Sequence, residues 1–576
     1  MAAIKFRSAL GVERGYENGF GGIDRTPKGR ESGGLFSAKN MEVRSDGSLA
    51  SRRGYRQVRA LGGEYRGYFS SGNLFYSVEG NSLKLTDTAS GSTRTLGTLP
   101  TDGGNAEIFS FRGDTFVHDG EGLYRYDGER LSAVEGYAPY YGASWNPSTG
   151  GKVNEDINFL SDRIMISYTV TQTTNSFYLG IKAKSIDHVM ASYVDKDPED
   201  FTLTTDESGK QIIKASSPIS QGEIYFWLTL APEESKKSKL SGNLRAFVFG
   251  GGGGKRLCFY SPGRSGHLYC SIPVGGYILD FSSISAENEF PLYFSERSAL
   301  CIGDGSHPIT GMASHYDRAL LFTEYNAWCV DYDGEESNSS YLTPKAFMLN
   351  SAIGSEIGTE TAYCENDPLT YACGALWRWH SRSGVIDECS ATLLTSTDSG
   401  LLPKETEELL LVSLPHKQKI FICDPEDGEG RILVYDTRLG TWSAYGDIFA
   451  EALVRYGREL GFVRGGALCV FNDDLTEDVE DDGSYPIKCA FSTDPLDFGS
   501  PERTKRRVSL VLSSELGETG ADVSFENERG EVTLVHIDGG RQLISDKISL
   551  PRFKELRFSF SADAPAVCRY LILSAK

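Results

Sequence analysis

Short bursts of alternating apolar and polar residues, roughly five to eight long, recur along the whole chain and end in Gly, Asp, Asn or Ser. A 3.6-residue period never persists for three turns. Side chains that alternate faces every second residue build half-buried strands, so the chain is expected to be all-β. Composition agrees: 64 glycines, 29 tyrosines and 30 phenylalanines against 6 methionines in 576 residues favour strands and tight turns.

Several bursts share one form, two large apolar or aromatic residues at i and i+2 followed by an Asp- or Gly-containing turn. Leu123-Tyr124-Arg125-Tyr126-Asp127-Gly128 is the cleanest copy. Others are Leu74 to Val78, Asn326 to Asp331 running on to Gly334, Leu376 to Trp379 ending at Ser383-Gly384, Leu433 to Asp436 leading to Gly440-Thr441-Trp442, and Leu468 to Asp473. Uninterrupted copies lie roughly 35 to 60 residues apart, the spacing of four-stranded propeller blades. The expectation is a β-propeller of five to seven irregular blades. The copies lack the WD40 signature, and only Tyr435 to Trp442 approaches a kelch ending.

Two stretches break the pattern. Residues 155–245 carry strands without blade-like turns and close on Glu233-Glu234-Ser235-Lys236-Lys237-Ser238-Lys239, which suggests an inserted small β-sandwich. After the acidic run 473–482, read as a solvated linker, residues 483–576 alternate strongly again and suggest a C-terminal β-sandwich. The expected organisation is therefore 1–154 as an N-terminal arm and first blades, 155–245 as the insertion, 246–480 as the remaining blades, and 483–576 as the terminal sandwich.

No catalytic, cofactor-binding or metal residue is assigned. Gly250 to Gly254 with Lys255-Arg256 invites a phosphate-loop reading, but Arg256 stands where Ser or Thr is needed and a strand follows instead of a helix. A hairpin turn fits better. Cys364, Cys373, His380 and Cys389 lack the C-x2–4-C knuckle that preorganises half a zinc tetrahedron, and the acidic run lacks a calcium-loop register. A propeller glycosidase needs two paired carboxylates, and the sialidase-type box is approached only once, at Asp436 to Trp442, with the wrong spacing.

The 58 basic and 79 acidic residues give a net charge of −21, which disfavours general nucleic-acid binding. The first 70 residues hold 13 Lys/Arg and 7 Asp/Glu, a net +6, leaving −27 for the rest. Eleven cysteines without a short-range framework, and no apolar stretch behind Lys5, Arg7 and Arg14, imply cytoplasmic synthesis with reduced thiols. Nowhere do eighteen apolar residues run together, so no membrane-spanning segment is expected.

Five patches then carry a family resemblance. They are Gly21-Gly22-Ile23-Asp24 with Ser37 to Arg44 and Gly47 to Tyr55; Glu155 to Arg163; Phe247 to Gly251 with Phe259-Tyr260-Ser261; Pro308 to Met312 with Tyr316 to Phe322 and Asn326-Ala327-Trp328; and Pro495 to Gly499 with Lys505-Arg506-Arg507. Together they resemble propeller-type structural proteins in the virions of tailed bacteriophages and prophages, especially podovirus tail hubs or nozzles. Pro262-Gly263 departs from the family's usual Gly-Asn-Pro.

The resemblance implies a structural, non-enzymatic protein without a cofactor, made in the host bacterial cytoplasm and ending in the virion tail. It further implies a cyclic, hexameric ring of copies that docks neck, portal-adaptor or other tail proteins. DNA would pass through the channel without sequence-specific binding. A peripheral receptor- or glycan-binding propeller and a propeller glycoside hydrolase are the alternatives. A glycan binder should expose aromatic loops; Trp145 and Tyr140-Tyr141 read as loop-like, whereas Trp328, Trp377, Trp379 and Trp442 fall in strand patterns.

Overall fold

The computed structural model describes residues 14–15, 20–24, 34–249, 256–271, 292–316, 318–331, 344–356, 361–381, 389–395, 401–403, 406, 408–499 and 501–575. Among these residues the regular structure is β-strand, with a few single-turn 3₁₀ segments and no α-helix. The strands form ten sheets, none of them closed on itself. No helix among the described residues is long and apolar enough to cross a membrane.

Seven antiparallel up-and-down meanders follow one another. Five are separate four-stranded sheets, over 65–98, 107–133, 245–301, 309–350 and 362–395. The sixth, 410–445, begins a nine-stranded sheet, and the seventh, 452–471, begins a six-stranded one. The seventh supplies three strands of its own; its fourth is Tyr55–Ala60 from near the N-terminus, antiparallel to Ala467–Phe471.

The turns explain why the meanders reverse so tightly. Asp436 Oδ1 accepts hydrogen bonds from the Arg438 and Leu439 amides, and Gly440 adopts φ +66, where a Cβ would be strained. Tyr435 then sits directly opposite Trp442 with ring centroids 4.8 Å apart. Five of the six burst copies are the third strand of their meander; the sixth, at Leu74, is a second strand. Tyr332 to Gly334 and Ser383-Gly384, read as turns, lie outside the described residues, as does 250–255. The flanking strands of that last segment, Arg245–Phe249 and Arg256–Tyr260, pair as a hairpin.

Apolar cores link each meander to the next. Val78 and Leu83 pack with Ile108 and Val117, Phe109 and Phe116 with Leu257 and Phe259, and Cys258 and Leu268 with Met312 and Leu321. Leu320 and Phe322 pack with Trp379, Tyr371 and Leu376 with Leu411 and Ile420, and Phe421 and Val434 with Leu453 and Phe462. Phe75 of the first meander finally packs with Val454 and Tyr456 of the seventh. The series of shared cores returns to its start.

The stretch between the second and third meanders forms a five-stranded and a three-stranded sheet around their own core, which includes Trp145, Tyr168, Phe177, Val189, Ile213 and Phe226. Its first strand is Tyr140–Trp145, parallel to Arg163–Val170 and upstream of the expected start at 155. The loop reading of this segment is corrected: Trp145 is buried and its Nε1 donates to the Lys152 carbonyl at 2.8 Å. At the far end, Leu240 and Leu244 already belong to the core of the second and third meanders.

The acidic run is also corrected. Glu477–Glu480 and Gly483–Pro486 form a hairpin that continues the seventh meander's sheet through Tyr55–Ala60, so this stretch is no solvated linker. Nor is 483–576 a detached unit. Ser37–Lys39 pairs on one side with Thr441–Tyr445 of the sixth meander and on the other with Cys489–Ser492. Met41–Val43 and Leu49–Ser51 add to the sheet of Lys505–Leu516, Gly540–Phe553 and Ala566–Ala575. The N-terminal residues expected as an arm are thus woven into the C-terminal sheets.

Candidate functional site

A dense set of buried polar interactions lies where the N-terminal motif meets the last two meanders. Asn40 and Arg52 flank the two short strands Met41–Val43 and Leu49–Ser51. Asn40 adopts φ 56, a left-handed conformation that Asn tolerates because its short amide can bond locally. Its Oδ1 accepts from Arg52 Nε at 2.9 Å and from the Gly446 amide at 2.8 Å, while Nδ2 donates to the Lys488 carbonyl at 2.8 Å. One side chain therefore ties three distant segments together.

Arg52, 3 % exposed, reaches the hairpin of the acidic run. Its Nη1 and Nη2 donate to Asp478 Oδ1 and Oδ2 at 2.8 and 2.7 Å, the bidentate geometry that only a guanidinium provides. The guanidinium carbon lies 5.6 to 5.9 Å from the ring centres of Tyr445, Phe471 and Tyr55. Gly54 is required by close approach, since a Cβ there would stand 1.9 Å from the Glu477 carbonyl oxygen.

Two further carboxylates complete this clasp. Glu42 accepts from Lys419 Nζ at 2.6 Å and from the Tyr445 hydroxyl. Glu480 accepts from the Tyr55 hydroxyl at 2.6 Å and from Arg464 Nη1 at 3.1 Å. Burial first, and then the adjoining carboxylates, push both phenols well above the usual tyrosine range, so they stay donors. The hydrogen bonds of Asn40, Arg52, Glu42 and Glu480 all run to other protein groups, an arrangement that fixes the geometry of the joint.

Gly22, from the same patch, and Asn158, from the second, also sit at joints. Gly22, at φ +76, lets the chain pass so close to the sixth meander that the Ile23 amide donates to the Trp442 carbonyl at 2.8 Å. Asn158 is fully buried where the insertion leaves the meanders. Its Nδ2 donates to the Tyr137 and Leu292 carbonyls, both at 2.8 Å, and its Oδ1 accepts from the Leu160 and Phe294 amides, both at 3.1 Å. Leu496 exchanges two backbone hydrogen bonds with Leu556, and Phe498 packs on Phe553. Thr310 Oγ1 donates to the Phe322 carbonyl at 3.2 Å, between the first two strands of the fourth meander.

The four metal candidates are dispersed over the fifth meander. Cys364 is buried on its first strand, Cys389 lies on its fourth, and Cys373 sits exposed in a turn. His380 Nδ1 is 2.9 Å from Asp367 Oδ2, an oxygen that also accepts from Arg378 Nε at 2.7 Å. Among the described residues no group of three or more His, Cys, Asp or Glu is placed to hold a metal ion. Trp379 is fully buried with its Nε1 donating to Thr370, and Trp442 is buried, while Trp328 and Trp377 are partly covered.

No family model matches the chain, and no curated protein matches it. Among solved structures, a chain of the mitotic checkpoint complex aligns at 10 % identity and TM-score 0.30, over 72 % of this chain and 92 % of that one. A chain from the structure of BBS1N in complex with ARL6DN aligns at 13 % identity and TM-score 0.24, over 74 % and 99 %. A chain of the S. cerevisiae core factor aligns at 8 % identity and TM-score 0.27, over 58 % and 57 %. At these scores the likeness assigns neither a fold nor an activity to this protein.

Proposed function

We propose that this chain is a structural protein of a tailed-phage or prophage virion, of the tail hub or nozzle type, which forms a ring around the DNA channel and docks neighbouring neck or tail proteins. The observation that carries the reading is that three residues of the N-terminal patch, Asn40, Arg52 and Gly54, all serve one buried joint. A motif whose members hold segments together, with no reacting group among them, supports a role in shape over a role in chemistry.

The same reading takes the seven meanders as blades of one propeller, with strand Tyr55–Ala60 completing the seventh blade, and takes the insertion and the C-terminal sheets as β-sandwiches. Cores shared from each meander to the next and from the last to the first support this. Ring contacts between copies would be heterologous, each copy presenting one face to its neighbour's other face. The −27 carried beyond residue 70 would repel phosphate and let DNA slide, with no sequence recognition.

Electron microscopy tests the assignment directly. Purified protein at high concentration, or mixed with its virion neck, is expected to give closed rings, and mass spectrometry of particles is expected to find the chain in the tail. A chain that stays monomeric and is absent from particles overturns the reading.

A further inference from the structure

The third meander holds two cysteines face to face. Strands Arg256–Tyr260 and His267–Cys270 run antiparallel with Cys258 directly opposite Cys270. Their sulfur atoms are 2.8 Å apart and both residues are fully buried. Directly opposed residues of an antiparallel pair have Cα atoms about 4.5 to 5.5 Å apart, inside the range of about 4.4 to 6.8 Å that a disulfide bridges without backbone movement.

We propose that Cys258 and Cys270 are a latent disulfide pair, which a small-molecule disulfide such as oxidised glutathione closes and so staples the second strand of the third meander to its third. One thiolate attacks a sulfur of the small disulfide, forms a mixed disulfide and releases one small thiol. The second cysteine thiolate then attacks the mixed disulfide at the protein sulfur, forming the Cys258–Cys270 bond and releasing the second small thiol. Two electrons pass from the protein to the small disulfide, and the two cysteine protons end on the released thiols. Closure needs only that the hairpin opens briefly to admit the oxidant. This inference is independent of the virion reading.

The test uses the reduced full-length protein, incubated with oxidised glutathione a few degrees below its melting midpoint, acid-quenched, denatured, alkylated and digested without reductant. Trypsin cuts after Arg264, between the two cysteines, so the bond joins two separate peptides. The expected result is that linked pair as the dominant product, and a melting midpoint raised by several degrees and restored by dithiothreitol. C258S and C270S should each remove the linked pair, whereas C301S, which alters an exposed thiol on the neighbouring strand, should retain it. Recovery of both cysteines as alkylated thiols after Cys301 has been consumed overturns the proposal, as does a mixture of linkages without preference for this one.

Discussion

Glu79 shows how much a single side chain contributes. Its carboxylate has no exposed surface, and burial alone would raise its pKa. Hydrogen bonds from Arg59, the Gly62 amide and Lys84 outweigh that cost and hold it at about 2, against an ordinary 4.5. A carboxyl whose folded pKa is depressed stabilises the fold fully above about pH 4.5 and loses that contribution as pH falls towards 2. The contribution is about 3 kcal/mol, from a depression of about 2.5 pH units at about 1.36 kcal/mol each. Glu79→Gln is therefore expected to flatten the acid limb of a stability-against-pH curve between those values, and to cost about 3 kcal/mol at neutral pH in denaturant titration. An unchanged acid limb would show that the ion cluster contributes nothing. At the clasp, Arg52→Ala is expected to cost about 3 to 5 kcal/mol, because Asp478 is left without its main partner. Arg52→Lys should recover little, since an ammonium cannot reproduce the two-pronged contact.

Among the larger elements, the insertion has its own core and is expected to fold alone: residues 138–231, expressed separately, should unfold cooperatively with the buried Trp145 as a fluorescence reporter. A fragment that shows no cooperative transition would refute this. Asn158→Ala, at the root of the insertion, should destabilise the intact chain by about 2 to 3 kcal/mol, because buried carbonyls and amides lose their partner. The sequence made the meanders legible because a third strand with large side chains at i and i+2, closed by Asp and Gly, is a local signal; Leu123 to Gly128 and Leu433 to Gly440 are found by pattern alone. Tyr140–Trp145 was not, because it is bulged: its burial alternates from Tyr140 to Ala143 and then slips at Ser144, which puts the buried Trp145 out of phase. The acidic run misled for a different reason. Carboxylates in a row read as solvated, yet Asp478 meets an arginine 426 residues away in the chain, and no local pattern encodes a partner at that distance. The clasp was half visible, as the motif at Asn40 and Arg52, while its acidic half looked like linker.

At the scale of the molecule, the chain's two ends are interleaved, and this decides what can be removed. Strand Ser37–Lys39 bridges the sixth meander to Cys489–Ser492, and Leu49–Ser51 pairs with Ala566–Ala575. Leu35, Met41, Leu49 and Trp442 share one buried cluster with Val508, Phe525, Phe558 and Leu571. Truncation after residue 486 would uncover this cluster and leave Ser37–Lys39, Met41–Val43 and Leu49–Ser51 without their C-terminal partners. Each large side chain so exposed forfeits about 1.5 to 3 kcal/mol, and unpaired edges invite association between chains. The loss would reach further, because Asn40 and Arg52 are anchored by these strands and hold the hairpin 477–486 and, through Tyr55–Ala60, the fourth strand of the seventh meander. That meander shares its core with the first, at Phe75, so loosening it loosens the joint at which the series of cores returns to its start. The truncated chain 1–486 is thus expected to aggregate or to melt well below the intact protein. In calorimetry of the full chain, the C-terminal sheets and the last two meanders should unfold in one transition. Size-exclusion chromatography and scanning calorimetry of both chains check this: a monodisperse 1–486 melting within about 2 °C of the intact protein would mean that the C-terminal sheets are an appendage, and the interleaving of little energetic weight.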